Sequence, residues 1–202
     1  MQTSPDKSAL RRTAARARAQ ISDKQSVSEQ IIDRLIASPP YQQAQTVLWY
    51  LDVRHEVRTT WYVQQQLTGA LPPALGRRTR KRLAIPYCVD DDLQVFRLDS
   101  MDQLQPGAYG ILEPKPELRN DPKTQLPVDQ FDLIITPGVA FDPQGGRIGH
   151  GKGYYDRLLA RKGQQTLAIA LAFHCQVLDR VPMSAHDVPM DYLVTEDSWM
   201  MC

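Results

Sequence analysis

Cysteine is scarce in this chain. Cys88, Cys175 and Cys202 are an odd number with no CxxC spacing, which excludes a disulfide framework or a zinc cluster and suits a reducing compartment. Long apolar runs are lacking as well. No stretch approaches the roughly 18 residues needed to span a bilayer, and the opening MQTSPDKSALRR has no apolar run behind its charges, unlike a secretory signal. The expectation is a cytoplasmic protein with no membrane partner. Excess charge is also missing: 24 Lys and Arg against 23 Asp and Glu leave +1, so no global field draws in nucleic acid.

What is present is an ordinary globular composition, 42% hydrophobic and 23% charged. Over 202 residues this predicts a single domain, residues 1–202, large enough to bury a core without staples. Ser4-Pro5-Asp6 predicts a helix start, with Ser4 as cap, and the Ala- and Arg-rich stretch to residue 20 favours helix. Ser22 with Gln25 predicts a second start of capping-box type. Val27, Ile31 and Leu35 give that helix an apolar stripe, and Pro39-Pro40 should end it. Residues 46–51, 83–85, 93–98, 131–136, 166–173 and 192–195 read as strands, with the strand at 83–85 stopping at Pro86. Residues 59–67 and 154–161 read as helices. The proline-rich stretch 101–130 predicts a long loop, and 71–81 a Pro/Gly/Arg-rich connector. Strands alternating with helices predict a three-layer α/β/α sandwich around a mostly parallel sheet.

The stretch 132–156, DLIITPGVAFDPQGGRIGHGKGYYD, carries the most information. A buried strand enters a loop with five glycines, Gly145, Gly146, Gly149, Gly151 and Gly153, before a helix near Tyr154. Glycines let backbone N–H groups turn inward around an anion, a helix N-terminus adds free donors, and Arg147 and Lys152 add full charges. Residues 146–152 satisfy GxxxxGK, but Gly153 stands where a P-loop needs Ser or Thr, so Mg²⁺ would need another ligand, such as Asp156. The dinucleotide fingerprint fails on spacing: GxGxG rather than GxGxxG. The bland alternative is a flexible surface loop, but five glycines in nine residues carry a large entropy cost.

The run ITPGVAFDPQGGRIGHGKGYYDRLL resembles the signature of the 5-formyltetrahydrofolate cyclo-ligases, a GxGxGYYD loop after a PGxxFD strand end. Lys7 with Leu10-Arg11, Leu51 with Glu56, Ile85-Pro86, the segment 110–114 (GILEP) and residues 187–191 extend the likeness along nearly the whole chain. The resemblance implies MgATP-dependent conversion of 5-formyltetrahydrofolate to 5,10-methenyltetrahydrofolate, with release of ADP and phosphate. It also implies an architecture related to sugar-phosphate isomerases and CoA transferases.

By that resemblance, Lys7, Arg11, Arg147, Ile148, Gly149, His150, Gly151, Lys152, Gly153, Tyr154 and Tyr155 hold ATP. Leu51, Glu56, Tyr109 and the loop residues His150, Gly151, Lys152, Gly153 and Tyr154 meet the folate, with Glu113 a further acid of the 110–114 element. Lys152 and Arg147 act on the transferring phosphoryl group, and Asp156 and Asp187 hold Mg²⁺. Partners are then 5-formyltetrahydrofolate and ATP, no nucleic acid, and the chain is expected to be a monomer. Arg12, Arg16 and Arg18 read as a solvated helix face.

Other residues carry weaker signals. His174-Cys175, read as adjacent strand residues facing opposite ways, cannot pair as base and nucleophile. His55 and His186 lack metal-ligand spacing. Trp49 and Trp61 read as core or half-buried aromatics, and Asp90-Asp91-Asp92 as a solvated turn. Two rivals stay open: an isomerase or transferase on the same architecture that needs no ATP, and an RNA-docking module using the basic N-terminal helix, which the balanced charge disfavours.

Overall fold

The computed structural model describes residues 6–70, 81–107 and 110–202. Most of the connector at 71–81, and Tyr109, therefore lie outside the described residues. At the centre is a sheet of seven strands. In chain order the strands are β1 (Thr46–Leu48), β2 (Arg82–Val89), β3 (Asp92–Leu98), β6 (Leu133–Thr136), β9 (Leu167–Leu171), β10 (Tyr192–Val194) and β11 (Trp199–Met201). Their spatial order is β11-β10-β9-β6-β1-β2-β3. The inner pairings are parallel, and only the edge pairs β2–β3 and β10–β11 are antiparallel. The mostly parallel sheet expected from the alternation of strands and helices is therefore present.

Period-two alternation sorts each inner strand between two cores. Val47, Leu133, Ile135, Ile169 and Leu171 point to one face, packed against α2 (Lys24–Ile36), α3 (Pro39–Gln43) and α4 (Thr60–Thr68). Leu48, Ala84, Ile134, Ala168 and Ala170 point to the other, under Leu158 and Leu159 of α5 (Tyr154–Leu159). Alanines on this second face let the short helix and its loop sit close to the sheet. Arg157 and Arg161 tie α5 to Asp92, at 3.7 and 3.3 Å, and Arg161 also donates to the Leu93 carbonyl at 2.7 Å. The acidic turn at 90–92 is thus partly an anchor for that helix.

Several local expectations shift. Helix α1 (Lys7–Ala19) is capped by Asp6, whose side chain accepts from the Ser8 N–H, and Ser4, the expected cap, lies outside the described residues. Helix α2 is capped by Asp23, which accepts from the Ser26 N–H, not by Ser22. There a carboxylate one residue further on offers the stronger charge-assisted acceptor. Pro39-Pro40 does not merely end α2. It opens α3 behind the Ser38 cap, where proline's missing N–H costs nothing. Strand β2 runs through Pro86, because β1 ends opposite Ala84 and leaves no ladder partner to lose on that side. The 101–130 stretch is not featureless: β4 (Leu104–Pro106) and β5 (Leu112–Pro114) form a small hairpin, followed by short 3-10 turns. Strand β11 escaped notice. His174-Cys175 lies in a 3-10 turn beyond β9 rather than on the strand.

Arg18 overturns the solvated-face reading. It is 5% exposed, and its guanidinium donates to the Gly138 carbonyl at 3.2 Å. Burial lowers its pKa, with Glu56 opposing that shift. Arg18 anchors the C-terminal end of α1 against the loop that follows β6. Ala14 meanwhile packs with Val139, Ala140, Ile148 and Val181.

Candidate active site

Parallel strands place their C-terminal ends and the following loops on one edge of the sheet, where open α/β folds bind ligands. Here β1 delivers Leu51 and Glu56, β2 delivers Tyr87 and Cys88, and β6 runs into the glycine loop. Together they wall a cavity of about 450 Å³. Every site residue expected from the sequence except Tyr109 lies on that wall. Tyr50, Val53, Pro86, Tyr87, Cys88, Leu93, Ile111, Leu112, Pro137 and Gly138 line it as well. These were missed because they are apolar or neutral, and nothing in sequence separates a cavity-facing residue of a buried strand from a core one.

Within the loop, β7 (Ala140–Phe141) and β8 (Arg147–Ile148) form a tight hairpin. The five glycines do not share one duty. Gly145 and Gly146 serve the hairpin turn: a Cβ on them would approach the Met190 carbonyl to 2.5 Å and Val181 to 2.4 Å. Gly151 and Gly153, at φ +100° and +67°, are the ones that bend the chain around the cavity. Helix α5 has only six residues, so little dipole arises there. Any anion affinity rests on the loop amides and on side-chain cations.

Those cations occupy three different electrostatic situations. Arg147 is deeply buried, its side chain 3% exposed, and forms an ion pair with Asp156 at 2.8 Å. Its guanidinium also lies 5.7 Å from the centre of the Tyr155 ring, and its Nε has no partner among the described residues. Lys7 reaches across from α1 to Asp187 at 2.6 Å, with side-chain exposures of 31% and 16%. Burial alone would raise the Asp187 pKa. Hydrogen bonds from Lys7 and Ser184 outweigh it, holding the carboxyl below its ordinary value. Arg11, one turn along α1, donates to the Gly149 carbonyl at 2.8 Å. Lys152 is exposed on the cavity wall, and its ammonium has no partner among the described residues.

The opposite wall combines a buried carboxylate with neutral aromatic and apolar groups. Glu56 is 8% exposed. One of its oxygens accepts from the Val53 N–H at 3.1 Å, and the other lies 3.9 Å from His150 Nε2. Burial first, and Glu56 next, push the Tyr155 pKa up, so that phenol stays neutral. Glu113 is held by Arg119 at 3.0 Å, and Arg119 in turn stacks over Tyr87.

A family model described as the 5-formyltetrahydrofolate cyclo-ligase family matches residues 3–196. The chain belongs to the 5-formyltetrahydrofolate cyclo-ligase family. Among its relatives, a probable 5-formyltetrahydrofolate cyclo-ligase of Caenorhabditis elegans is 28% identical over 179 residues, 86% of this chain and 84% of that protein. The Escherichia coli K12 5-formyltetrahydrofolate cyclo-ligase is 29% identical over 173 residues, 85% and 89% respectively. Among solved structures, Aquifex aeolicus 5,10-methenyltetrahydrofolate synthetase superposes with a TM-score of 0.79 at 32% identity, covering 96% of this chain and 92% of that one. Membership of a cyclo-ligase family makes the chain an enzyme, a ligase of folate one-carbon chemistry. Among the described residues, no helix is long and apolar enough to cross a membrane.

Proposed function

We propose that the chain closes the imidazoline ring of 5,10-methenyltetrahydrofolate from 5-formyltetrahydrofolate, at the expense of ATP. One observation carries this reading. Unpaired and exchangeable cations (Lys152, Lys7, Arg11) share a single cavity with a buried carboxylate, Glu56, and an apolar wall at Leu51. Such a cavity suits a polyphosphate on one side and a donor-rich pterin edge on the other.

The formyl oxygen of an amide is a poor leaving group. Transfer of the terminal phosphoryl group to it converts it into a good one. Folate N10 then attacks the carbon, and loss of phosphate completes the ring. Phosphoryl transfer needs positioning and charge neutralisation more than a protein nucleophile. Lys152, free to reach the transferring group, takes the neutralising role. Arg147 holds Asp156 in place and supports the floor of the loop. Amides of residues 149–153 and the Lys7 and Arg11 side chains grip the remaining phosphates. Glu56 accepts from the pterin edge, and Leu51 covers its face.

Mg²⁺ fits the carboxylates present. Asp156 gives one oxygen to Arg147 and the Val188 N–H and leaves the other without a partner among the described residues, and Asp187 faces the same cavity with its Oδ2 held by Lys7 and Ser184. No cluster of three or more His, Cys, Asp or Glu stands ready for a metal among those residues. That pattern suits an ion that keeps its waters and is held largely through substrate phosphates. When bound, Mg²⁺ neutralises phosphate charge. We also propose a cytoplasmic monomer folded as one domain.

The test is direct. Purified protein with 5-formyltetrahydrofolate, ATP and Mg²⁺ is expected to produce the ultraviolet absorbance of the methenyl product, with one ADP per turnover. Folded protein that yields neither rejects the reading. Product formation without ATP would instead favour an ATP-independent enzyme on the same architecture.

A further inference from the structure

A charge taken out of water is costly unless something nearby balances it. Among the described residues, two cations and two carboxylates are buried: Arg18, Arg147, Glu56 and Asp142. Two of these four are balanced at contact. Arg147 pairs with Asp156 at 2.8 Å. Asp142 accepts from the N–H groups of Gln144 at 2.9 Å, Gly146 at 2.8 Å and Val181 at 2.7 Å. Arg18 and Glu56 remain, and they are of opposite sign.

Arg18 closes the C-terminal end of α1 and does not line the cavity. Its Nη1 donates to the Gly138 carbonyl, a wall atom of the cavity, and its Nε has no partner among the described residues. That carbonyl does not need an arginine. Neutral Gln176, also buried, donates to it at 3.0 Å and to the Val139 carbonyl at 2.9 Å. On the cavity side, Glu56 spends one oxygen on the Val53 N–H, and its other oxygen meets only the exposed His150 ring, at 3.9 Å. Tyr50, in the cavity wall with its hydroxyl donated to the Val57 carbonyl at 3.0 Å, stands in the field of both charges. Burial drives its phenol well above the ordinary value, Glu56 adds to that shift, and Arg18 opposes it.

We infer that Arg18 is a positioning residue for the folate site, a counter-ion that balances Glu56 from behind the cavity wall and leaves the outer oxygen of the carboxylate free for the pterin edge. The inference rests on the reading that Glu56 meets the pterin. A cation in contact with Glu56 would occupy the acceptor that the substrate needs. One set back in a low-dielectric interior still acts on the carboxylate, because the field there is weakly screened. The Gly138 bond fixes where that cation stands. The arrangement differs from Lys7–Asp187, where the partners touch and must separate before either can serve a ligand.

The measurement is calorimetric binding of 5-formyltetrahydrofolate, and separately of ADP with Mg²⁺, to the wild type, Arg18→Met, Arg18→Lys, Glu56→Gln and the double variant Arg18→Met/Glu56→Gln. Methionine fills similar space without the charge, and lysine keeps the charge. We expect Arg18→Met to bind the folate about tenfold more weakly, equivalent to about 1.4 kcal/mol, with ADP affinity retained. Arg18→Lys should recover most of that loss. In the Glu56→Gln background, Arg18→Met should cost no further folate affinity, because the charge it balanced is gone. Additive losses, or equal losses of folate and ADP affinity, would mean that Arg18 only packs α1 and would overturn the inference. If Arg18→Met does not fold, recovery of folding in the double variant supports charge balance, and failure of both overturns it. A folded wild type that binds ADP but no 5-formyltetrahydrofolate removes the folate reading itself, an outcome that no Arg18 variant can produce.

Discussion

Two ion pairs border the same cavity and teach opposite lessons. Arg147–Asp156 is nine residues apart in sequence, and its cation is buried. Lys7–Asp187 spans 180 residues with a cation nearly a third exposed. A buried charge cannot be left alone without a large desolvation cost, so the inner pair is framework. The outer pair sits where water and ligand can take over either partner at little cost, so it is exchangeable. On this view α1 is held by its outer pair when no nucleotide is bound. If the proposed nucleotide and metal bind there, partners would be exchanged rather than bare charges exposed, with phosphate taking Lys7 and metal taking Asp187.

Breaking the inner pair should have the largest effect. Arg147→Ala leaves the half-buried Asp156 without its cation, and is expected to lower unfolding stability by about 3–5 kcal/mol in a urea titration. A loss under about 1 kcal/mol would show that the pair is not framework. Lys152→Ala removes a cation that has no partner among the described residues. Turnover should fall by about 10²–10³-fold with the urea midpoint unchanged; wild-type kcat would show that the lysine does not reach the transferring group. Asp156→Asn should raise the Mg²⁺ concentration needed for half-maximal rate, and an unchanged metal titration would count against ligation there. Lys7→Ala should change stability by no more than about 1 kcal/mol yet raise KM for ATP. The reverse pattern would make the outer pair structural.

The smallest effect is one of pH. The folded-state pKa of Asp187 is lowered, so its contribution to stability is present above the unfolded carboxylate value of about 3.9. It is lost as pH falls through the lower folded value. Acid unfolding of Asp187→Asn should therefore be less steep below about pH 4 than that of the wild type. Identical acid profiles would mean that Lys7 and Ser184 do not stabilise the carboxylate.

Much of this was legible in order of chain position. The strand at 131–136 and the GHGKGYYD loop are contiguous, so glycine spacing, cations and the following helix announce themselves without a partner from elsewhere. Helix α2 was placed by its stripe of Val27, Ile31 and Leu35, although its cap slipped by one residue because Ser22 and Asp23 are both good acceptors. Arg18 was misread because helix spacing gives the direction of a side chain around its own axis and says nothing of what lies across from it. Tyr87 and Cys88 were invisible for a related reason: only the fold shows that β1 ends opposite Ala84 and leaves this end of β2 open to the cavity.

The sequence by itself determined the alternating architecture, the family and the chemical character of the loop, since each depends on residue type and short-range spacing. Tertiary structure alone decided which charges meet. Lys7 finds Asp187, and Arg18 finds Gly138, across 180 and 120 residues. Coulomb attraction at a few ångströms depends on where folding leaves two atoms and on how much water remains between them, and neither quantity is written in the order of the residues.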